Sequence, residues 1–320
     1  MNQKYITTKN NLRNTIDKYG VAIIENVLDN TEIDAMRTGM WDYLEHITQN
    51  FNKPIKRDDK DSWKEYSKLY PKHSMLLQNW GIGHAQFIWD LRQNEKVIDI
   101  FANLWNCENK DLLVSFDGAS FHFPPEITKK GWYRGNLWYH TDQSYTRNGF
   151  ECVQSWVTAY DVNEDDATLA FLESSHKYHS DFAKKYDIKD KSDWYKHTDK
   201  ELEFYFNDKN CIEGRITCKA GSMVFWDSRT IHCGTEPVKT RDNKNTRNVA
   251  YICMMPRQLS TNALIRKKQK AFEDLRTTNH WANKPKLFPK LPRTYGGPIP
   301  NVVDIEAPLL TNEGLKLAGF

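Results

Sequence analysis

The stretch "WYHTDQSYT", residues 138–146, sets His140 and Asp142 two positions apart in a run of aromatic and β-branched residues. Side chains alternate faces along a strand, so residues i and i+2 point the same way. An imidazole and a carboxylate on one face either pair with each other or hold something between them. A further imidazole stands far downstream, where "SMVFWDSRTIH" reads as one or two strands ending in His232. Two imidazoles and one carboxylate are the donor set that suits a non-haem Fe(II) centre, with positions left open for other ligands. Arg247 then opens the strand-like "RNVAY". A guanidinium stays charged and forks onto a carboxylate, so it could grip the far end of a metal-chelating diacid. Taken alone, His-x-Asp is a weak signal, and a structural His–Asp pair explains it as well.

The elements that must position these groups follow from hydrophobic periodicity and turn residues. From Asp111 onward the runs "LLVSFDGASFHF", "NLWYHTD", "ECVQSWVTAYDV", "TLAFLES", "GRITCKA", "SMVFWDSRTIHC" and "RNVAYICMMP" are short, rich in β-branched and aromatic residues, and end in turn-like clusters. That density of short strands predicts a sandwich or barrel. Ahead of it, "YGVAIIENVLD" predicts a strand. The next stretch predicts a helix with Ile33, Met36, Met40, Leu44 and Ile47 on one face and Asn30 as its cap. "HAQFIWDLRQNEKVIDIFANLWN" predicts covering helices, "NKPIKRDDKDSWKEY" a charged, exposed stretch, and "SSHKYH" a turn and helix start. Residues 259–320 predict an amphipathic helix carrying Leu264, Ile265, Phe272 and Leu275, then a Pro-rich strap, both packed on the single domain of residues 1–258.

Composition narrows the function classes. The chain has 320 residues, enough for one large domain, and 39% of them are hydrophobic. Aromatics reach 13%, with eleven Trp, which suits a deep core or a lined pocket. A net charge of +3 from 45 basic and 42 acidic residues predicts neither a nucleic-acid binder nor a membrane-surface protein. Six cysteines without a C-x-x-C pair argue against thiolate zinc sites. The opening "MNQKYITTKNNLRNTIDKYG" has no secretory character, so reduced thiols and a cytoplasmic setting are expected. No apolar run approaches the ~18 residues needed to span a bilayer. Oligomeric state is not legible.

Three blocks together resemble the phytanoyl-CoA dioxygenase family of Fe(II)- and 2-oxoglutarate-dependent oxygenases. "WYHTDQSY" resembles its His-x-Asp strand, "VQSWVTAYDVNEDDATLAFLESSHKYH" its next block, and "AGSMVFWDSRTIHCGTEP" with "RNVAY" its distal His and Arg block. "YGVAIIENVLDNTEIDAM" resembles its opening strand and helix. The resemblance covers roughly residues 12–256. It implies an α+β chain with a mainly β core: a double-stranded β-helix, or cupin-like jelly roll, with packed N-terminal helices and a C-terminal extension. It also implies Fe(II) on His140, Asp142 and His232, with 2-oxoglutarate and O2 as cosubstrates and 2-oxoglutarate held by Arg247. The chain departs from the pattern where "LES" replaces the usual Pro-Gly, and in a longer gap between His232 and the Arg, which leaves Arg241 as a rival. Arg247 is preferred because it opens a strand, whereas Arg241 sits in loop composition, "KTRDNK".

Further residues follow from these placements. His122, in "FHFPPE", stands where the family often has Lys and is a candidate second contact to the cosubstrate. Trp156 and Thr158 share a strand face and are candidates to line its pocket. Gln143, Tyr145 and Arg229 flank the ligands and are candidate substrate contacts. The resemblance implies decarboxylation of 2-oxoglutarate to succinate coupled to hydroxylation of an unactivated C–H bond in a small molecule. Asp142 argues against a halogenase, where a small residue replaces the carboxylate. A non-catalytic metal-binding jelly roll and a non-oxidative cupin-like metalloenzyme are the rival readings.

Overall fold

The computed structural model describes residues 3–320. Its strands in chain order are β1 (Val21–Ile24), β2 (Leu76–Leu77), β3 (Leu112–Val114), β4 (Ala119–His122), β5 (His140–Thr141), β6 (Val153–Thr158) and β7 (Thr168–Leu172). They continue as β8 (Tyr195–Lys196), β9 (Glu213–Arg215), β10 (Met223–Asp227), β11 (His232–Thr235), β12 (Arg247–Tyr251) and β13 (Met254–Pro256). Antiparallel pairing builds one sheet in the order β1-β10-β6-β12-β4-β2 and a second in the order β8-β5-β11-β7-β9, with β13 and β3 as a separate pair.

The period of two explains how the sheets face each other. Trp156 and Val249 on the first sheet share a face with Val224 and Trp226, and that face packs on Leu169 and Phe171 of the second sheet. The alternate residues Val153, Val157, Phe225 and Ala250 point the other way, into a larger core. That core is completed by the helices α1 (Leu12–Tyr19), α2 (Asn30–Ile47), α3 (Gln86–Arg92) and α4 (Glu95–Trp105). The first sheet is therefore buried on both faces, which is why its central strands read as nearly unbroken apolar runs. The arrangement is a jelly roll with helices outside it. No helix among the described residues is long and apolar enough to cross a membrane.

Several local expectations are corrected. The α2 cap is Asp29, not Asn30: its carboxylate accepts from the Glu32 N–H, and the Glu32 side chain accepts from the Asp29 N–H. Both residues are cap types, and this reciprocal pair decides between them. The charged stretch before residue 66 is not simply exposed, because the 3-10 helix Lys60–Leu69 buries Trp63, Tyr66 and Leu69. His232 begins β11 rather than ending a strand, since a turn at Ser228–Thr230 separates it from β10. In the helix Asn262–Glu273 the expected apolar residues are only half-buried. The most buried side chain there is Lys268, which donates to the Val114 carbonyl and lies 3.9 Å from the Phe116 ring centroid. All six cysteines are free thiols.

Burial also sets the acid response. The buried His84 and His197 are pulled down to about 3, and the buried His122 and His179 to about 4, in each case first by loss of hydration. Each group binds protons more readily unfolded than folded below its ordinary value near 6.5. Their contribution is whole above that value and is lost as pH falls towards 4. Urea unfolding midpoints are expected to drop steadily between pH 6.5 and 4.5; a flat profile across that window contradicts this.

Candidate metal centre

The pairing of β11 with β5 places His232 opposite His140, and the two ring centroids are 4.4 Å apart. β5 is only two residues long, so Asp142 lies just beyond it. Its backbone N–H is caught instead by the Ser228 carbonyl at 2.9 Å. The Asp142 Oδ2 then sits 3.5 Å from His140 Nε2 and 3.3 Å from His232 Nε2. All three side chains are buried, with donor atoms within 4.8 Å of one another. Among the described residues no other group of His, Cys, Asp and Glu side chains could hold a metal ion.

Hydrogen bonds decide which atoms face the centre. His140 Nδ1 contacts the Trp138 carbonyl at 3.2 Å, and His232 Nδ1 the Thr230 carbonyl at 2.8 Å. A carbonyl only accepts, so each Nδ1 carries a proton and each ring turns its Nε2 inward. Burial lowers the pKa of His140, with the Asp142 carboxylate pulling the other way. For Asp142, burial opposes ionisation, but the His140 and His280 rings and the surrounding hydrogen bonds outweigh it and hold the carboxyl well below its ordinary value. Two imidazole Nε2 atoms and a carboxylate thus converge, a donor set that fits a divalent cation.

Other side chains fix these donors in place. Gln154 donates to Asp142 Oδ2 at 3.0 Å and reaches Ser228 Oγ at 3.3 Å. The indole N–H of Trp226 approaches His232 Nε2 at 3.2 Å. Trp138 stacks on His140 at 4.5 Å, and His73 stacks on the far face of Trp138 at 3.8 Å. The Asp142 carbonyl is gripped from the C-terminal extension by Trp281 Nε1 at 3.3 Å and His280 Nε2 at 3.4 Å. None of these six was anticipated. Gln154 alone carried a signal, two positions before Trp156 on the same strand face.

The two candidate arginines differ in their surroundings. Arg241 forks onto Glu126, at 3.0 and 2.8 Å, and donates to Asp166 at 3.0 Å, so two carboxylates already neutralise it. Arg247 opens β12 opposite His122 and is buried. Its Nη1 donates to the Ala167 carbonyl at 3.0 Å, and its guanidinium lies 5.2 Å from the Trp156 ring centroid. Its Nε has no partner, nor does Trp156 Nε1. No carboxylate pairs with Arg247 among the described residues. Burial pulls its pKa down, with Tyr251 pulling back.

The remaining expected contacts are engaged elsewhere. Thr158 Oγ1 donates to the Tyr160 carbonyl at 2.7 Å and accepts from its N–H. His122 Nε2 donates to the Gly131 carbonyl at 3.0 Å, which leaves Nδ1 a buried lone pair with no N–H to offer a carboxylate. Gly131 permits that approach: its φ is +86°, and a Cβ there would meet His122 Nε2 at 2.5 Å. Gln143 donates to the Arg147 and Gly149 carbonyls, and Tyr145 bonds His197 and Tyr205 inside an aromatic cluster. Arg229 is held by Asp227 and the Asn148 carbonyl. Nearness in sequence misled here, because the chain leaves β5 after Thr141 and turns away.

Comparison with known proteins agrees with this architecture. A hypothetical protein of Escherichia coli, JW0805, superposes with a TM-score of 0.63 at 14% identity, over 99% of this chain and 85% of that one. The GlcNAc-inducible protein GIG2 of Candida albicans superposes with a TM-score of 0.54 at 14% identity, over 82% and 67%. At such identities the likeness concerns the fold. Ava biosynthesis cluster protein O of Aspergillus versicolor is 28% identical over 210 residues, which span 63% of this chain and 64% of that relative, less than two thirds of its length. The profile of the phytanoyl-CoA dioxygenase (PhyH) family matches residues 16–246, which include all three converging ligands. The chain belongs to the phytanoyl-CoA dioxygenase family, a family of Fe(II)/2-oxoglutarate-type oxygenases.

Proposed function

We propose that the protein is an Fe(II)- and 2-oxoglutarate-dependent dioxygenase that hydroxylates an unactivated C–H bond of a small organic substrate. The observation that carries this reading is Arg247, a buried guanidinium without a carboxylate partner beside an orphaned indole N–H. A buried charge left unpaired is costly, so an anion is the missing partner. Its distance from the ligands supports the size of that anion. On β6, Gln154 touches Asp142, and Trp156, two residues on, lies against Arg247. Two strand residues span about 6.6 Å, the reach of a five-carbon diacid.

In this reading His140, Asp142 and His232 hold the iron, and Arg247 takes the far carboxylate of 2-oxoglutarate. Iron with 2-oxoglutarate supplies dioxygen activation, yielding succinate and carbon dioxide. Gln154 keeps the Asp142 carboxylate aimed inward. The buried Trp156, Phe171 and Trp226 wall the space off from bulk water, which protects a reactive site from side reactions. Residues 1–258 carry the chemistry, and residues 259–320 act as a strap that braces Asp142 through His280 and Trp281.

Anaerobic titration of Fe(II) with 2-oxoglutarate tests the assignment through its weak visible charge-transfer band. The His140→Ala variant is expected to lose the band. Arg247→Ala should keep Fe(II) and weaken 2-oxoglutarate by about 100-fold, as removal of a charge-assisted pair does. Arg241→Ala should leave that affinity within about threefold, the scale of indirect effects at a site it does not touch. It should instead cost about 3–5 kcal/mol of stability, because it strands Glu126 and Asp166. The reverse pattern for the two arginines overturns the assignment. Hydroxylation itself predicts oxygen-dependent succinate release with one oxygen atom added to the product. Turnover without oxygen contradicts it.

A further inference from the structure

A cleft of about 710 Å³ lies between the helix Lys60–Leu69, the loop after it, and the C-terminal strap, and none of His140, Asp142 and His232 lines it. His73 lines it and is the outer layer of the His73–Trp138–His140 stack, so one wall of the cleft is two rings from a proposed ligand. Asp117 lies within electrostatic reach of Lys72 in the cleft and of Asp142 in the centre.

The lining is one-sided in charge. Lys64, Lys72, Lys130 and Arg293 all face it, and no Asp or Glu among the described residues does. The chain as a whole is nearly balanced, at 45 basic and 42 acidic residues, so this segregation is local. None of the four cations makes an ion pair among the described residues. Lys72 bonds Gln78, Lys130 reaches Ser67 at 3.4 Å, and Arg293 lies over the Tyr295 ring at 5.2 Å. Uncharged polar residues such as Ser74 and Thr128 share the remaining walls with rings, Trp63 on the helix side and Phe288 and Tyr295 from the strap.

The cleft is also held at a conformational cost. Tyr70, His73 and Ser74 all line it, and all have left-handed backbones, with φ of 55°, 49° and 61°. Non-glycine residues pay for that conformation, and such strain concentrates at ligand sites. The strap is stapled over them by Tyr70 Oη to the Pro298 carbonyl at 2.9 Å and by Asn79 Nδ2 to the Pro289 carbonyl at 2.7 Å.

We propose that this cleft binds an organic oxyanion carried on a flat, ring-sized apolar body, and that this anion is the substrate presented to the triad. The inference rests on the dioxygenase reading and adds the substrate class to it. The cations neutralise the carboxylate or phosphate, the rings of Trp63, Phe288 and Tyr295 stack on the body, and the body rests against His73, the outer ring of the stack that ends on His140.

The test uses three probes of one shape: 2-naphthoate, 2-naphthyl phosphate and the neutral naphthalene-2-carboxamide. Binding to the full chain is measured by calorimetry, for the wild type and for the double variant Lys72→Gln, Arg293→Gln. The two charged probes are expected to bind at least ~10-fold tighter than the amide, and the double variant should remove that advantage and leave amide affinity within about twofold. The better of the two anions identifies carboxylate or phosphate as the preferred group. With Fe(II) and 2-oxoglutarate present anaerobically, the better anion should also shift the visible band. Equal affinity for all three probes, or an unchanged charge preference in the variant, overturns the proposal. Tight anion binding that leaves the band untouched overturns its assignment as the substrate. If the band itself never forms in the wild type, the dioxygenase reading fails, and the calorimetric comparison still decides whether the cleft selects anions.

Discussion

Antiparallel pairing of β11 with β5 sets His232 directly across from His140, and Asp142 closes the triangle from the turn that follows. Register is the governing constraint. A slip of one residue would send one imidazole to the opposite face of the sheet and leave two donors facing nothing. The register is held well beyond β5, because β11 also pairs over four residues with β7, which belongs to the packed interior. The short β5 therefore borrows its precision from a longer neighbour. Carbonyls behind each ring then fix its orientation, so the position of both Nε2 atoms is set by the same backbone.

The second organising feature is how buried charge is settled. Arg241 and Arg247 are the same residue type, six positions apart, and both are buried. One is matched by Glu126 and Asp166 and works as a structural clamp. The other meets the Ala167 carbonyl, the Tyr251 side chain and the Trp156 ring with its orphaned indole N–H, but pairs with no carboxylate among the described residues. Folding would be expected to eliminate such an unmatched cation unless something outside the chain matched it. The triad presents the opposite imbalance, a concentration of lone pairs and negative charge. A cation at one end and an anion at the other would satisfy both together, and a chelating diacid links them.

Much of this was readable in the sequence, for physical reasons that can be named. The three donors stood out because His and Asp are rare inside strand patterns of period two. Arg247 was preferred over Arg241 because strand composition surrounds one and loop composition the other, and the ion pairs of Arg241 give that difference its physical content. Contacts made across the fold were not readable. Gln154 looks like any inward strand position until Asp142 is seen beside it. His280 and Trp281 reach Asp142 from a tail whose pattern says only helix and strap. Nor was it readable that Gln143 and Tyr145 bond within the fold after the chain turns at Thr141, Gln143 to the Arg147 and Gly149 carbonyls and Tyr145 to His197 and Tyr205. Lys268 could not be foreseen as a buried residue, because a lysine on a basic helix is normally a solvated one.

Every role assigned to these residues requires that the three side chains share a single ferrous ion. X-ray absorption at the iron edge of the anaerobically loaded protein addresses this directly. The account predicts one iron per chain with scattering from two imidazole rings and otherwise oxygen donors, and with no sulfur. A shell of oxygen atoms without ring scattering, or iron bound at no fixed stoichiometry, would contradict it.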